Sequence, residues 1–310
     1  MANKIAALPM LREDPNTSII RLDKCQAKIT KGADLRSFYS RKSNLTEILE
    51  HISDTVEKRK SKVISFDVFD TALLREIKSE ARRFWESSEL FLETTLQNNK
   101  HKKNLTLKAL KPEDVFLARI LSAKAAYAIS PTQNGNREGI FGNIAKSTCE
   151  LLGIPELTSD YICSEIAYES KSLVPSSLLL AIKSEHPKIS IIFISDMYLE
   201  GHQISEIVKN KLPSHKKPIV FSSADGLGSK REGQLYTNVM RSLNIEPREM
   251  IHIGDNLGSD YRQAKRLGIE AIYLPIPTVE QLHRRDCYNS LCTELIQHKI
   301  NLKTTIHFNY

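Results

Sequence analysis

The chain has 310 residues, 41% of them hydrophobic, with a formal charge of +7 and a pI near 9.0. That length and composition suit one substantial core with a smaller accessory unit, and they exclude collagenous, low-complexity and disulfide-framework architectures. No stretch approaches the roughly 20 apolar residues that a bilayer span needs, so a soluble, cytoplasmic protein with no membrane partner is expected.

Residues 1–43 show no convincing period. Over 44–58, Leu45, Ile48, Leu49, Ile52 and Val56 mark one helical face, and Asn44 with Glu47 has the offset of a capping box. This helix closes an N-terminal extension, residues 1–60. The run Val63-Ile64-Ser65-Phe66 reads as a buried strand that delivers Asp67 to the sheet edge where open α/β sheets bind ligands. More than a hundred residues then pass before the next strong strand, 189–194, an interval too long for a bare loop. Its content is helical. Residues 80–96 carry Phe84, Trp85, Phe91 and Leu92, all read as packing residues; Pro112 opens a run to 129; 144–152 ends before Gly153; Ile162 and Ile166 share a face. The polar segment 132–139 is the expected loop. The insert is therefore drawn as 75–187.

From 188 onward strand and helix alternate: strands at 218–222, 250–253 and 269–274, helices at 204–211, 231–243 and 261–267. Alternation implies right-handed crossovers and a parallel sheet with helices on both faces, built from 61–74 and 188–277. Residues 278–310 read as an amphipathic helix and a polar tail. Five cysteines without a CxxC are expected reduced, Cys149 and Cys163 as small buried thiols, and the spacing of Cys287 and Cys292 does not suit zinc. The positive charge is dispersed. Its densest piece, Lys100-His101-Lys102-Lys103, reads as a solvated loop, so a phosphorylated small molecule is the expected anionic partner and nucleic acid the secondary one.

Four blocks at the ends or starts of these elements can handle phosphate. In Asp67-Val68-Phe69-Asp70-Thr71 an aspartate at a strand end serves as turn former, helix cap or nucleophile. Ser195, closing Ile191-Ile192-Phe193-Ile194, can donate a hydroxyl to a phosphoryl oxygen without adding charge. Lys230, in Gly226-Leu227-Gly228-Ser229-Lys230-Arg231 at the start of a helix, can separate two anions that would otherwise repel; Arg231 is an alternative for that role. In Ile253-Gly254-Asp255-Asn256-Leu257-Gly258-Ser259-Asp260, Gly254 lets the backbone turn and two carboxylates can share one Mg²⁺; otherwise Ser259 caps the helix, with Asp260 at its positive end. His252, inside an apolar strand, reads as a core histidine with a satisfied nitrogen.

In that order and spacing the four blocks resemble the motifs of the haloacid dehalogenase-like (HAD) hydrolase superfamily over residues 62–275. The resemblance implies a HAD-like Rossmannoid parallel sheet with a helical cap inserted after the first strand. It also implies a Mg²⁺-dependent phosphomonoesterase acting through an aspartyl-phosphate. Asp67 would be the nucleophile, Ser195 and Lys230 phosphate ligands, and Asp67, the Phe69 carbonyl, Asp255 and Asp260 the metal site. Thr71, Asp196 and Asn256 would contact substrate. The family's phosphatases carry a general acid two positions after the nucleophile, where this chain has Phe69. Asp70 then either supplies the proton through a water or holds the loop by hydrogen bonds. Phe66 to Thr71, Ser195 to Leu199 and His252 to Asn256 look like a bacterial subgroup of predicted hydrolases associated with glycosyltransferases of surface polysaccharides, which suggests a phospho-sugar or nucleotide. A 2-haloacid dehalogenase, which needs no Mg²⁺, and a non-catalytic module that binds phosphate, nucleic acid or protein are the competing expectations.

Overall fold

A computed structural model describes residues 17–101, 103–130, 138–212 and 217–302, with side chains from residue 24 on. Helices α1 (Thr17–Thr30), α2 (Leu35–Ser40) and α3 (Lys42–Arg59) lead into strand β1 (Val63–Phe66) and the short β2 (Leu73–Leu74). An all-helical insert follows: α4 (Glu80–Gln97), α5 (Leu105–Ala109), α6 (Pro112–Ile129), α7 (Phe141–Leu151) and α8 (Thr158–Ser172). Then come β3 (Val174–Pro175), α9 (Ser177–Glu185), β4 (Ser190–Ser195), α10 (Gly201–Lys211), β5 (Ile219–Ser222), α11 (Gln234–Leu243) and β6 (Met250–Gly254). A single π-turn (Leu257–Arg262) runs into α12 (Gln263–Arg266), before β7 (Glu270–Tyr273) and α13 (Thr278–Gln297).

The sheet is parallel, in the order β5-β4-β1-β6-β7. This is the expected Rossmannoid arrangement. All four residues of β1 are buried, as a central strand covered on both faces requires. Chain order runs one way from β1 through β4 to β5 and the other way through β6 to β7, so the switch point lies at β1 and β6. The register sets Phe66 level with Phe193 and Ile253. Asp67, Ser195 and Asp255 consequently leave their strands at the same carboxyl edge.

β2 and β3 pair antiparallel, Leu73 with Pro175 and Leu74 with Val174, as a stem from which α4–α8 hang. Inside the insert, α4 packs on α6 and α8, and α7 on both of those. Trp85, 5% exposed, stacks edge-on to Phe116 in that interior and does not line the central cavity. The stem closes before α9, which packs on α2 and α3.

The expectation of no period over 1–43 is corrected for its described part. α1 buries Cys25 and Ile29 against α3, and α2 buries Leu35, Phe38 and Tyr39. The capping box of Asn44 and Glu47 does not form, because α3 starts earlier. Asn44 instead donates from Nδ2 to the Phe38 carbonyl (2.9 Å), and Glu47 accepts from Lys28 (2.5 Å). Cys163 is exposed rather than buried, whereas Cys149 is buried. Most of the expected loop 132–139 and the end of the C-terminal tail lie outside the described residues. No helix among the described residues is long and apolar enough to cross a membrane.

Candidate active site

Asp67 leaves β1 with its amide donating to the Ile253 carbonyl (2.8 Å), which ties the residue to β6. Its carboxylate accepts from Lys230, whose side chain is almost fully buried. The lysine lies in the turn before α11 rather than on its first turn, and there its own amide and that of Arg231 donate to the Asp196 carboxylate (2.8 and 3.3 Å). Asp196 thus sets the lysine's backbone, and Arg231 is an exposed residue of the cavity lining. Lys230 Nζ also lies 2.7 Å from Asp260, so one ammonium joins two carboxylates.

The β6 block is built by close approach. A side chain at Gly254 would overlap the carboxylate of Asp260, so the glycine is needed to admit that group, not to turn the backbone. Asn256, not Ser259, caps the π-turn, its Oδ1 accepting from the amides of Gly258 (2.9 Å) and Ser259 (3.0 Å). Asp260 folds back to accept from the Asn256 amide (2.9 Å) and lies 3.3 Å from His252 Nε2. His252 is fully buried, with Nδ1 2.8 Å from Ser65 Oγ. Asp260 can only accept, so Nε2 donates to it, and Ser65 Oγ, whose proton also reaches the Ile251 carbonyl (3.2 Å), lies on Nδ1. Burial holds the His252 pKa below the ordinary histidine value, which agrees with a neutral ring.

Carboxylate oxygens of Asp67, Asp255 and Asp260 lie within 4.8 Å of one another. Burial, only partly offset by Lys230, pushes Asp67 up to about 7. Asp255 is raised well above its usual range by burial and by the charges of Asp67 and Asp260. Among the described residues its side chain accepts one weak hydrogen bond, from Thr71 Oγ1 at 3.4 Å. Asp260 goes the other way: burial would raise it, but Lys230 and His252 hold it low. Lys230 is raised in turn because Asp260 and Asp67 outweigh its burial. Three carboxylates facing one ammonium leave negative charge unmatched, and hard oxygen donors with open lone pairs on Asp67 and Asp255 fit a divalent cation such as Mg²⁺. Both oxygens of Asp260 already have partners, so this residue anchors Lys230 first.

Asp67, Ser195, Lys230 and Asp255 all line one cavity of about 930 Å³. Against this chain no protein-family model matches, and no curated protein matches it either. Among solved structures it is similar to a haloacid dehalogenase-like hydrolase from Xanthomonas campestris (14% identity, 69% of this chain and 83% of that one, TM-score 0.38). It is also similar to L-2-haloacid dehalogenase from Xanthobacter autotrophicus (14% identity, 68% and 76% covered, TM-score 0.41). A third similar structure is a HAD family enzyme from Bacteroides thetaiotaomicron complexed with magnesium and inorganic phosphate (16% identity, 69% and 93% covered, TM-score 0.41). The fold stated above rests on strand order, register and stem, and not on these likenesses.

The remaining expected positions fall as follows. The Ser195 hydroxyl has no hydrogen bond among the described residues and lines the cavity. Asp196 and Asn256 also line it, but their oxygens are engaged in holding loops. Thr71, 2% exposed, lies against Asp255 and is not among the residues lining the cavity. The Phe69 ring is 7% exposed, with the Arg75 guanidinium 4.1 Å above it.

Asp70 is placed differently from a proton donor. It sits at φ +61° with both oxygens held by Arg284 (2.9 and 2.8 Å), which reaches in from α13. Burial alone would raise its pKa, yet Arg284 and Arg75 carry it well below the usual carboxylate range. Of the two readings left open by sequence, this geometry fits the one in which Asp70 holds the loop. Arg284 and Arg75 carry no sequence signal tying them to the site. Arg284 lies 214 positions from Asp70.

Proposed function

We propose that the protein is a cytoplasmic Mg²⁺-dependent phosphohydrolase that cleaves phosphomonoesters through an aspartyl-phosphate. One observation carries the reading: the buried Asp67 carboxylate, with an ammonium on one flank and the Asp255 carboxylate on the other, opens on a cavity of small-molecule size. Mg²⁺ held by Asp67, Asp255 and the Phe69 carbonyl would supply the positive charge that lets one anion approach another. Lys230 neutralises the far side of the nucleophile, and the Ser195 hydroxyl donates to a phosphoryl oxygen.

In the first step an Asp67 oxygen bonds to phosphorus as the ester P–O bond breaks. In the second, water attacks phosphorus, the bond to Asp67 breaks, and phosphate leaves with the carboxylate restored. The departing oxygen takes its proton from water, since Phe69 has none to give and Arg284 keeps Asp70 ionised. Weakly basic leaving groups are therefore favoured. The resemblance to the polysaccharide-associated subgroup supports a phospho-sugar, or a nucleotide, as the substrate.

The haloacid reading is disfavoured by three clustered carboxylates, which would repel an anionic haloacid unless a cation neutralised them. The test is a phosphoester panel with and without Mg²⁺ on wild type and Asp67→Asn. Turnover should fall by about a thousandfold or more in the variant and be lost without metal. Normal turnover in Asp67→Asn would overturn covalent catalysis, and chloride release from 2-haloacids in EDTA would favour the dehalogenase.

A further inference from the structure

Two arginines on the insert side of the cavity are not used by the chemistry above. Arg75 follows the stem strand β2, Arg83 lies on the first turn of α4, and both line the cavity that holds Asp67. Arg83 is only 8% exposed. Beside Glu80, which lines the same cavity and acts on Arg83, their ion pairs join three guanidiniums, Arg75, Arg83 and Arg284, to three carboxylates, Asp70, Glu169 and Glu280, so formal charge within the pairs cancels. The hydrogen bonding does not. Arg284 takes both oxygens of Asp70 and also bonds Glu280 at 2.5 Å.

That leaves Arg75 and Arg83 to share Glu169 at 3.5 and 3.8 Å, with Arg75 a further 3.9 Å from Asp70. Arg83 Nη1 donates to the Lys78 carbonyl (3.0 Å), while its Nη2 and both Nη atoms of Arg75 have no hydrogen bond among the described residues. Arg75 Nε, Arg83 Nε and Glu169 Oε2 are buried without a hydrogen bond among the described residues as well. Burial and then the charge of Arg75 pull Arg83 below the ordinary guanidinium range, outweighing the shared Glu169 together with Glu80 and Asp70. Planar guanidiniums with open N–H groups suit a carboxylate or phosphate.

We propose that Arg75 and Arg83 form a second anion subsite, so that the substrate is a phosphate ester carrying a further carboxylate or phosphate. Its phosphoryl group meets Asp67 and its second anion meets the arginine pair. Arg75 lies over Phe69 and lines the same cavity as Asp67 and Arg83, so the second anion and the reacting phosphorus share that cavity. The inference builds on the phosphohydrolase reading, and its test is arranged to fail separately from it.

Binding is measured by calorimetry on Asp67→Asn protein with Mg²⁺, where no covalent step runs, and turnover on the wild type. The probes are matched pairs: ethyl phosphate against phosphoglycolate, which adds a carboxylate, and propyl phosphate against propane-1,3-diol bisphosphate, which adds a phosphate. At least one dianionic partner should bind about tenfold or more tighter than its match, and that ratio should shrink to about twofold when Arg83→Gln or Arg75→Gln is added. The pair with the larger ratio says whether carboxylate or phosphate is the natural group. Equal affinity within both pairs, no binding of any probe, or a preference that survives both arginine variants overturns the subsite. Should one arginine variant fail to fold, the matched-pair ratio and the other variant still decide. Turnover without a preference removes the subsite and leaves the phosphohydrolase standing; a preference without turnover in the wild type does the reverse.

Discussion

Lys230→Met should destabilise the protein in a manner that depends on pH. The lysine is 2% exposed, contacts Asp67 and Asp260, and is the ammonium between the clustered carboxylates. Methionine fills a similar volume, so what is lost is charge. Removing one partner of a buried ion pair costs about 3–5 kcal/mol. A urea slope of about 3 kcal/mol/M converts that into a midpoint lower by about 1–1.7 M. Protonation relieves the cost. With the lysine present Asp67 already titrates near 7, against 3.8 unperturbed, and without it the value rises further. A carboxyl whose folded pKa is raised carries no penalty below its unfolded pKa and the full penalty once pH exceeds the folded one. The destabilisation should therefore be near its maximum at about pH 8 and fall below about 1.5 kcal/mol near pH 5. Urea unfolding of both proteins across that range is the assay, and comparing them cancels the common titration of other groups. A difference under about 1 kcal/mol at pH 8, or one that does not shrink on acidification, would refute Lys230 as the buried counterion.

Mg²⁺ should raise the melting temperature more at about pH 8 than near pH 5.5, because below about 7 the metal must displace a proton from Asp67; equal shifts at both would remove Asp67 from the ligand set. Arg284→Met should cost about 3–5 kcal/mol at neutral pH by stranding Asp70. The folded pKa of Asp70 is depressed, so that contribution is present above about 4 and lost as pH falls further; chemical denaturation at neutral pH and near pH 3 checks the sign. Gly254→Ala should cost about 1–3 kcal/mol and reduce turnover by displacing Asp260 and with it Lys230, and a variant with wild-type melting and activity would show that the carboxylate has room to move.

The sheet and the positions of Asp67, Ser195 and Asp255 were legible from the chain because each depends on local pattern. A short apolar run buries itself in a parallel sheet, and the next polar residue must emerge at its carboxyl end. The insert was legible for a similar reason, since its length left no alternative to a folded unit. Local pattern misled where neighbours in space compete for the same group. Asn44 found a carbonyl of α2 before it could cap α3.

What only the tertiary structure decided is the charge state of the site. Whether Asp70 can carry a proton depends on Arg284, brought over by the packing of α13, and whether Arg75 and Arg83 keep open N–H groups depends on Glu169 from α8 being shared between them at long range. Residue type reveals that a carboxylate exists. Its pKa follows from burial and from charges a few ångströms away, and those are properties of the folded chain alone.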